Sequence, residues 1–296
     1  MPSPISQVLD ERLAPSGVRL HLKRDDLIHP EIPGNKWRKL KYNLAAARER
    51  GHRTLLTFGG AHSNHIRAVA AAGHYFGFAT IGVIRGEEHL PLNPTLAYAT
   101  GRGMRLHYLD RTTYRAKTSP QVIAGLRRTL GDFYLVPEGG SNALALRGCA
   151  ELPGEIPFAF DHICCPTGTG GTLAGIALGL AGEQRAIGFS ALKGGAFLAG
   201  GVRRLQAEYG RVTDNWSVET DHHFGGYARR NAELDDFARD FEERHAMPLD
   251  WVYVAKMLYG VFALVRAGRF PPGSVVVAVI TGSGQFEDPH RPAHAI

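Results

Sequence analysis

The residue best suited to covalent chemistry is Lys36, in the segment GNKWRKLKY (residues 34–42). A lysine amine attacks a carbonyl carbon when desolvation or a nearby cation lowers its pKa. Lys39 and Lys41 supply nearby positive charge, and Trp37 can shield the amine from water. The same spacing also fits a solvated basic face at a helix start, because Lys36 and Lys39 are three residues apart. From this segment alone, the solvated face is the preferred interpretation.

The segment PTGTGG (residues 166–171) is a candidate anion site. It follows an apolar run and precedes a helical pattern. Successive backbone N–H groups at a helix start bind phosphate, and glycine lets the ligand approach closely. The segment lacks the Gly-Lys-Ser/Thr of a Walker A loop and the spacing of a G-x-G-x-x-G motif. A structural turn without a ligand is the alternative, and the motif alone does not decide between the two.

The segment FGGAHSNH (residues 58–65) places polar side chains where an apolar strand turns into a helix. Ser63 or Asn64 could cap that helix, or Asn64 could hydrogen-bond a ligand. His62 and His65 are three residues apart, but no third metal-binding side chain lies at a characteristic spacing. We therefore predict no metal site.

Composition and charge disfavour several classes of function. The 296 residues carry a net charge of +6, but basic residues are interspersed with acidic ones. No long Lys/Arg run alternates with aromatic residues, so we predict binding of small anionic molecules and no nucleic-acid partner. No apolar segment is long enough to cross a bilayer, and the first residues lack a signal-peptide pattern. Three cysteines do not suggest a disulfide framework, so we predict a cytoplasmic protein.

Strand-like apolar runs alternate with helix-like segments along the chain. We predict strands within residues 53–58, 79–86, 104–110, 132–140, 161–171, 185–192 and 274–284, and helices within 64–77, 93–103, 119–131, 172–182, 231–245 and 251–268. This alternation predicts an α/β fold with two open twisted, mainly parallel sheets and helices on both faces. Ligands of such sheets bind at the carboxyl ends of the strands, where the glycine-rich turns lie. The polar tail, residues 287–296, is predicted to be frayed.

The motifs in combination resemble the pyridoxal-phosphate enzymes of the tryptophan synthase β-like fold (fold type II). More narrowly, they resemble the 1-aminocyclopropane-1-carboxylate deaminase and D-cysteine desulfhydrase family. The similarity lies in five ordered segments: LKRDDLIHPEIPGNKWRKLKY, GGAHSNHIRAVAAAGHYFG, PEGGSNALALRG, CPTGTGGTLAG and PLDWVYVAKMLYGV. It implies pyridoxal 5'-phosphate as cofactor, a small amino acid as substrate and a homodimer. It also implies a larger cofactor-binding domain of residues 1–42 and 142–296, and a smaller inserted domain of residues 43–141.

The resemblance also implies roles for individual residues. Lys36 matches the family's Schiff-base lysine, which holds the cofactor aldehyde and later moves protons. Lys39 matches a basic residue near the cofactor phosphate. The phosphate itself would lie on the turn formed by Thr167, Gly168, Thr169 and Gly170.

The remaining matched residues surround the cofactor ring and the substrate. Asn64 matches the residue that hydrogen-bonds the cofactor's 3′ oxygen, and Ser63 the one that meets the substrate carboxylate or assists proton transfer. Thr281 matches a hydroxyl residue beside the ring nitrogen. Tyr253 and Tyr227 match active-site tyrosines, although ordinary core packing is the alternative for each.

Two departures from the family pattern bear on the substrate. Val254 stands where the deaminases carry glutamate and the desulfhydrases a hydroxyl residue, and Ile280 replaces a histidine. Without that glutamate, cyclopropane ring opening is less favoured. We therefore expect β-elimination from D-cysteine, with the deaminase reaction as the alternative and non-catalytic binding of the cofactor as a third interpretation.

Overall fold

The computed structural model describes residues 2–32 and 34–282. The predicted frayed tail, residues 287–296, and the end of the last predicted glycine-rich turn lie outside the described residues. Ten strands form two sheets in the described part of the chain.

The larger sheet has six strands in the order β1-β2-β10-β7-β8-β9. Only β1 and β2 pair antiparallel; every other neighbouring pair is parallel. Their bounds are β1 Ile5–Val8, β2 Arg19–Lys23, β7 His162–Thr167, β8 Arg185–Ser190, β9 Trp216–Glu219 and β10 Val275–Val279.

The smaller sheet has four parallel strands in the order β5-β4-β3-β6. Their bounds are β3 Thr54–Gly59, β4 Ala79–Arg85, β5 Met104–Leu109 and β6 Tyr134–Val136. Every residue of this sheet lies within the inserted domain that the sequence predicts, whereas the larger sheet is built from residues on both sides of it.

Ten α-helices connect and cover the strands in the described residues. They are α1 Asn35–Glu49, α2 Asn64–Phe76, α3 Pro94–Gly101, α4 Arg111–Arg115, α5 Pro120–Leu130, α6 Ala143–Ala150, α7 Gly171–Gly179, α8 Phe197–Tyr209, α9 Ala232–His245 and α10 Val254–Arg266. No helix in this part of the chain is both long and apolar enough to span a bilayer.

The predicted fold class is confirmed, since two mainly parallel sheets are covered by helices on both faces. The reason is visible in β10, whose five residues, four valines and one alanine, are all buried, as expected for a central parallel strand. Several element boundaries were wrong. The strand predicted within 185–192 ends at Ser190, and the helix predicted from 251 begins at Val254, because residues 251–253 form a turn. The sequence pattern also missed β1, β2, β9, α4, α6 and α8.

Candidate active site

One large cavity of about 990 Å³ receives every predicted site residue. It lies at the carboxyl ends of β3, β7 and β10 and at the start of α1, as expected for parallel sheets. The lining includes Lys36, Lys39, Ser63, Asn64, Thr167, Gly168, Thr169, Gly170, Tyr227, Tyr253 and Thr281. The structure therefore brings together all the predicted residues, although they come from separate segments of the chain.

Helix α1 begins directly beside the end of β10. Gly34 precedes the helix with φ +58° and ψ −130°, a conformation that only glycine adopts readily. A Cβ atom at Gly34 would overlap the carbonyl oxygen of Thr281. This close approach places half-buried Lys36, in the first turn of α1, at the same cavity wall as Thr281.

A buried cation lies beside the turn after β7, since a Cβ atom at Gly171 would lie 3.2 Å from the Lys39 Nζ atom. Gly170 has φ +81°, and α7 begins at the next residue. The ammonium group of Lys39 lies 3.2 Å from both Ser141 Oγ and the Gly139 carbonyl oxygen. Ser141 Oγ in turn lies 2.9 Å from Thr169 Oγ1 on the turn. A helix start, hydroxyl groups and an ammonium group together fit a phosphate.

Lys39 is the strongest indication that an anion belongs here. Its side chain is buried, and burial lowers its pKa. Within residues 2–32 and 34–282, no carboxylate lies within ion-pair distance of it, although buried charges are normally paired. The phosphate of a cofactor would supply the missing negative charge, so these residues fit pyridoxal phosphate.

The interpretation of residues 34–42 as a solvated basic face is wrong. Lys39 and Arg38 are each only 2% exposed. The Arg38 guanidinium donates to Asp25 at 2.6 and 2.8 Å and to Glu155 at 2.7 and 2.8 Å. Lys23 also pairs with Glu155, at 2.8 Å. These acidic partners are distant in sequence, so the segment alone could not reveal that the basic residues are buried.

Ser63 both caps a helix and lines the cavity, so it fits both interpretations that the sequence left open. It is the N-cap of α2, and its Oγ accepts a hydrogen bond from the Ile66 N–H at 3.4 Å. It also lines the cavity, as does Asn64 in the first turn of α2. Capping by Ser63 therefore does not exclude contact with a ligand.

His65 is buried under the cavity in the neutral state. Its pKa lies well below the ordinary value because of burial and then because of the charges of Lys36 and Lys39. Its Nε2 lies 2.8 Å from Thr57 Oγ1. Since the Thr57 hydroxyl donates to the Val136 carbonyl oxygen, Thr57 accepts the Nε2–H of His65. Within the described residues, no group of three or more His, Cys, Asp or Glu side chains could hold a metal ion.

The rings of the two predicted tyrosines, Tyr227 and Tyr253, make an edge-to-face contact. Their ring centroids are 6.0 Å apart with an interplanar angle of 66°. Tyr253 packs on the turn at residues 167–170, since a Cβ atom at Gly168 would lie 3.3 Å from its hydroxyl oxygen. Asp250 fixes the approach to α10, because its carboxylate accepts the backbone N–H groups of residues 252, 253 and 254.

Tyr227 reaches the cavity on a loop that a buried lysine holds in place. The ammonium group of Lys256, on α10, donates to the carbonyl oxygens of His223 at 2.9 Å and Gly226 at 2.7 Å. Burial lowers the pKa of Lys256 to about 8. Tyr227 and Tyr253 are thus both positioned from α10, and sequence reasoning did not reveal the connection of Tyr227 to this helix.

Sequence reasoning missed several charged residues of the cavity. They are Glu31, Arg67, Arg85, Arg102, Glu138 and Asp250. Two positional signals were available: Arg67 follows Ser63 by one helical turn, and Arg85 ends a strand of the smaller sheet. Whether the others reach the cavity depends on how the two sheets face each other.

The two departures from the family pattern are both buried in the core. Val254 is 0% exposed and Ile280 2% exposed, and they belong to the same apolar cluster. Neither is part of the cavity lining. Position 254 therefore provides no carboxylate to the cavity.

Comparison with known proteins shows the family of the chain. The family described as pyridoxal-phosphate dependent enzyme matches residues 5–282. A 1-aminocyclopropane-1-carboxylate deaminase of Variovorax paradoxus (strain S110) is 31% identical, over 88% of this chain and 85% of the relative. The mitochondrial bifunctional D-cysteine desulfhydrase/1-aminocyclopropane-1-carboxylate deaminase of Arabidopsis thaliana is 29% identical, over 83% of this chain and 67% of that protein.

A solved structure of similar fold extends the comparison. The crystal structure of an ACC deaminase homologue has a TM-score of 0.84 and 29% identity, covering 97% of this chain and 91% of the other. The predicted type II fold, the cofactor and the enzyme class are thus confirmed. With a family match that spans most of its length, this chain belongs to the pyridoxal-phosphate dependent enzymes and is related to their 1-aminocyclopropane-1-carboxylate deaminases and D-cysteine desulfhydrases.

Proposed function

We propose that the protein is a lyase that catalyses β-elimination from a small amino acid, with D-cysteine as the best candidate. Water would then hydrolyse the product, so that D-cysteine and water yield pyruvate, ammonia and hydrogen sulfide. The supporting observation is the apolar, fully buried side chain at position 254. Thr281 lines the cavity instead, and a hydroxyl group beside the ring nitrogen suits elimination better than cyclopropane opening.

The residues of the cavity have a consistent division of roles in this proposal. Bound pyridoxal phosphate supplies an electron sink for the negative charge that develops at the substrate α-carbon. Lys36 would carry the covalent link to the cofactor and afterwards move the α-proton with its Nζ atom. Lys39 and the turn at residues 167–170 would hold the phosphate.

Other residues of the cavity would hold the cofactor ring and the substrate. Asn64 would hydrogen-bond the 3′ oxygen of the cofactor, and Ser63 would meet the substrate carboxylate. Tyr253 and Tyr227 would cover the reacting atoms and limit the access of water. Their ring contact at the cavity supports this arrangement.

Product analysis with two substrates tests the proposal. The purified enzyme, saturated with pyridoxal phosphate, is given D-cysteine or the cyclopropane amino acid, and pyruvate and 2-oxobutanoate are measured. We expect pyruvate from D-cysteine and little 2-oxobutanoate. Lys36→Ala should abolish both the absorbance band of the linked cofactor and turnover, whereas Ser63→Ala should slow turnover with the cofactor still bound.

The deaminase reaction is the second candidate. It is favoured by the activity named for the Variovorax relative and by the bifunctional activity named for the Arabidopsis one. Release of 2-oxobutanoate as the main product would establish it in place of desulfhydration. An absorbance band that no amino acid changes would instead favour a non-catalytic cofactor-binding protein.

A further inference from the structure

Arg85 is a cationic group of the cavity to which the cofactor and the proposed reaction assign no role. It is the last residue of β4, and its exposed side chain lines the cavity. Its Nη2 atom lies 3.6 Å from the position that a Cβ atom at Gly60 would occupy. Gly60 belongs to the turn that carries Ser63, the proposed contact of the substrate carboxylate. Arg85 therefore lies on the substrate side of the cavity, on the smaller sheet.

The guanidinium group of Arg85 has no carboxylate within ion-pair distance in the described ranges 2–32 and 34–282. An exposed guanidinium group at a cavity wall keeps its hydrogen-bond donors available to a ligand. Guanidinium is also the group that best fits the planar, paired oxygen atoms of a carboxylate or the oxygen atoms of a phosphate.

The acidic residues that line the cavity are occupied elsewhere. Glu31 pairs with Arg102 and accepts hydrogen bonds from Tyr98 and Tyr75. Asp250 caps the start of α10.

Glu138, the acidic residue on the same side of the cavity, also has its own partners. It accepts the Tyr114 hydroxyl at 2.8 Å and pairs with Lys117 at 3.1 Å. Among the described residues, none of these carboxylates pairs with Arg85, so its positive charge is left for a ligand.

We propose that Arg85 binds a second anionic group of the substrate, a carboxylate, sulfonate or phosphate carried on its side chain. The inference rests on the proposed function, since it assumes that the α-amino and α-carboxylate groups occupy the Ser63 side of the cavity. D-Cysteine is then the smallest molecule with the reacting part of the substrate. Within the proposed β-elimination, the enzyme would then prefer an amino acid whose β-substituent is negatively charged, and D-cysteine would be the minimal substrate.

Aspartate and asparagine test the charge without a change in shape. Both enantiomers of each are titrated into the enzyme loaded with pyridoxal phosphate, and dissociation constants are measured by calorimetry and by the absorbance of the cofactor. Arg85→Met is compared with Arg105→Met, a control on the neighbouring strand β5 whose side chain is exposed and does not line the cavity. Arg85→Lys keeps the charge but not the fork of donors.

We expect one enantiomer of aspartate to bind roughly tenfold or more tightly than the matching asparagine, the range of a charge-assisted hydrogen bond. Arg85→Met should remove this preference and leave the affinity for asparagine unchanged. Arg85→Lys should retain part of the preference, and Arg105→Met all of it. The preference should also decline as salt is added.

Three results would overturn the inference: equal affinities in the unmodified enzyme, a preference that survives in Arg85→Met, or no binding of either amino acid. Release of pyruvate from D-cysteine is measured separately on the same samples. A charge preference without pyruvate would refute D-cysteine as a substrate and leave the Arg85 site standing. Pyruvate without a charge preference would support the proposed reaction and refute the Arg85 site.

Discussion

Lys39 is the buried charge on which the proposed phosphate site depends. Its ammonium group is held by Ser141 and the Gly139 carbonyl and has no carboxylate partner in the described part of the chain. Burying an unpaired cation costs free energy, and a bound phosphate offsets that cost. The residue should therefore contribute more to cofactor affinity than to the stability of the protein without cofactor.

Replacing Lys39 with methionine tests this expectation. The dissociation constant of pyridoxal phosphate should rise roughly tenfold to a hundredfold, because a charge-assisted hydrogen bond to the phosphate is lost. The free energy of unfolding without cofactor should stay the same or increase, since an unpaired buried charge is removed. Absorbance titration and urea denaturation measure the two quantities.

Lys41→Met is the matched control, because Lys41 pairs with Glu151 outside the cavity lining. It should leave cofactor affinity unchanged. Equal losses of affinity in the two variants would contradict a specific role for Lys39.

At the scale of elements, the start of α1 is set by one glycine. Gly34 combines a positive φ with close approach to Thr281, so the start of α1, which carries Lys36, and the end of β10 share one junction. Other glycines of the fold have positive φ without such a neighbour; Gly51, after the same helix, has φ +75° and no atom within 4 Å of a Cβ position. Comparing the two positions therefore distinguishes the cost of a left-handed backbone, present at both, from the cost of steric overlap, present only at Gly34.

Gly34→Ala should therefore cost much more than Gly51→Ala. We expect a loss in the free energy of unfolding of about 1 kcal/mol at Gly51, from the left-handed backbone alone. At Gly34 we expect about 3 kcal/mol or more, with weakened cofactor binding, because Thr281 must move. Urea denaturation and cofactor titration provide the measurements, and similar values for both variants would show that the overlap at Thr281 is relieved cheaply.

At the scale of the whole molecule, a buried ionic network joins distant parts of the larger sheet region. Arg38 on α1 lies between Asp25 and Glu155, and Lys23 at the end of β2 completes the group. Burial alone would raise the pKa of Glu155, but the hydrogen bonds from Arg38 and Lys23 outweigh it and lower the pKa to about 2. Removing one member leaves the others with unmatched charge.

The low pKa of Glu155 predicts a pH dependence of stability. Because the folded value lies below the ordinary value of 4.5, the contribution of Glu155 is fully present above pH 4.5 and is lost as the pH falls toward 2. The difference in free energy of unfolding between the unmodified protein and Glu155→Gln should thus shrink between pH 6 and pH 3.5. Urea denaturation at several pH values measures it, and a constant difference would contradict the assignment.

Domain organisation and assembly also belong to this scale. We propose residues 43–141 as an inserted domain, because the smaller sheet is built entirely within them. The homodimer implied by the family resemblance remains a prediction. Analytical ultracentrifugation should find a mass about twice the 32.2 kDa of one chain, and a single-chain mass at micromolar concentration would refute it.

The sequence by itself determined the fold class, because the alternation of apolar strands and helices is a short-range property. The cofactor and the roles proposed for Lys36, Ser63, Asn64 and the turn at residues 167–170 came from the resemblance of five ordered segments to a known family. Each of these segments taken alone left another interpretation open. Element boundaries were less accurate, since the first and last turns of a helix depend on their surroundings.

Only the tertiary structure decided which charges are buried and which line the cavity. Arg38 is paired with a carboxylate 117 residues away, so the segment that contains it reads as a solvated face until the chain is folded. Arg85 and Arg102 line the cavity because they lie at the ends of β4 and α3. Val254 does not line it, because the first turn of α10 directs this side chain into the core. Burial and charge pairing arise from contacts between distant segments, which no local pattern in the sequence specifies.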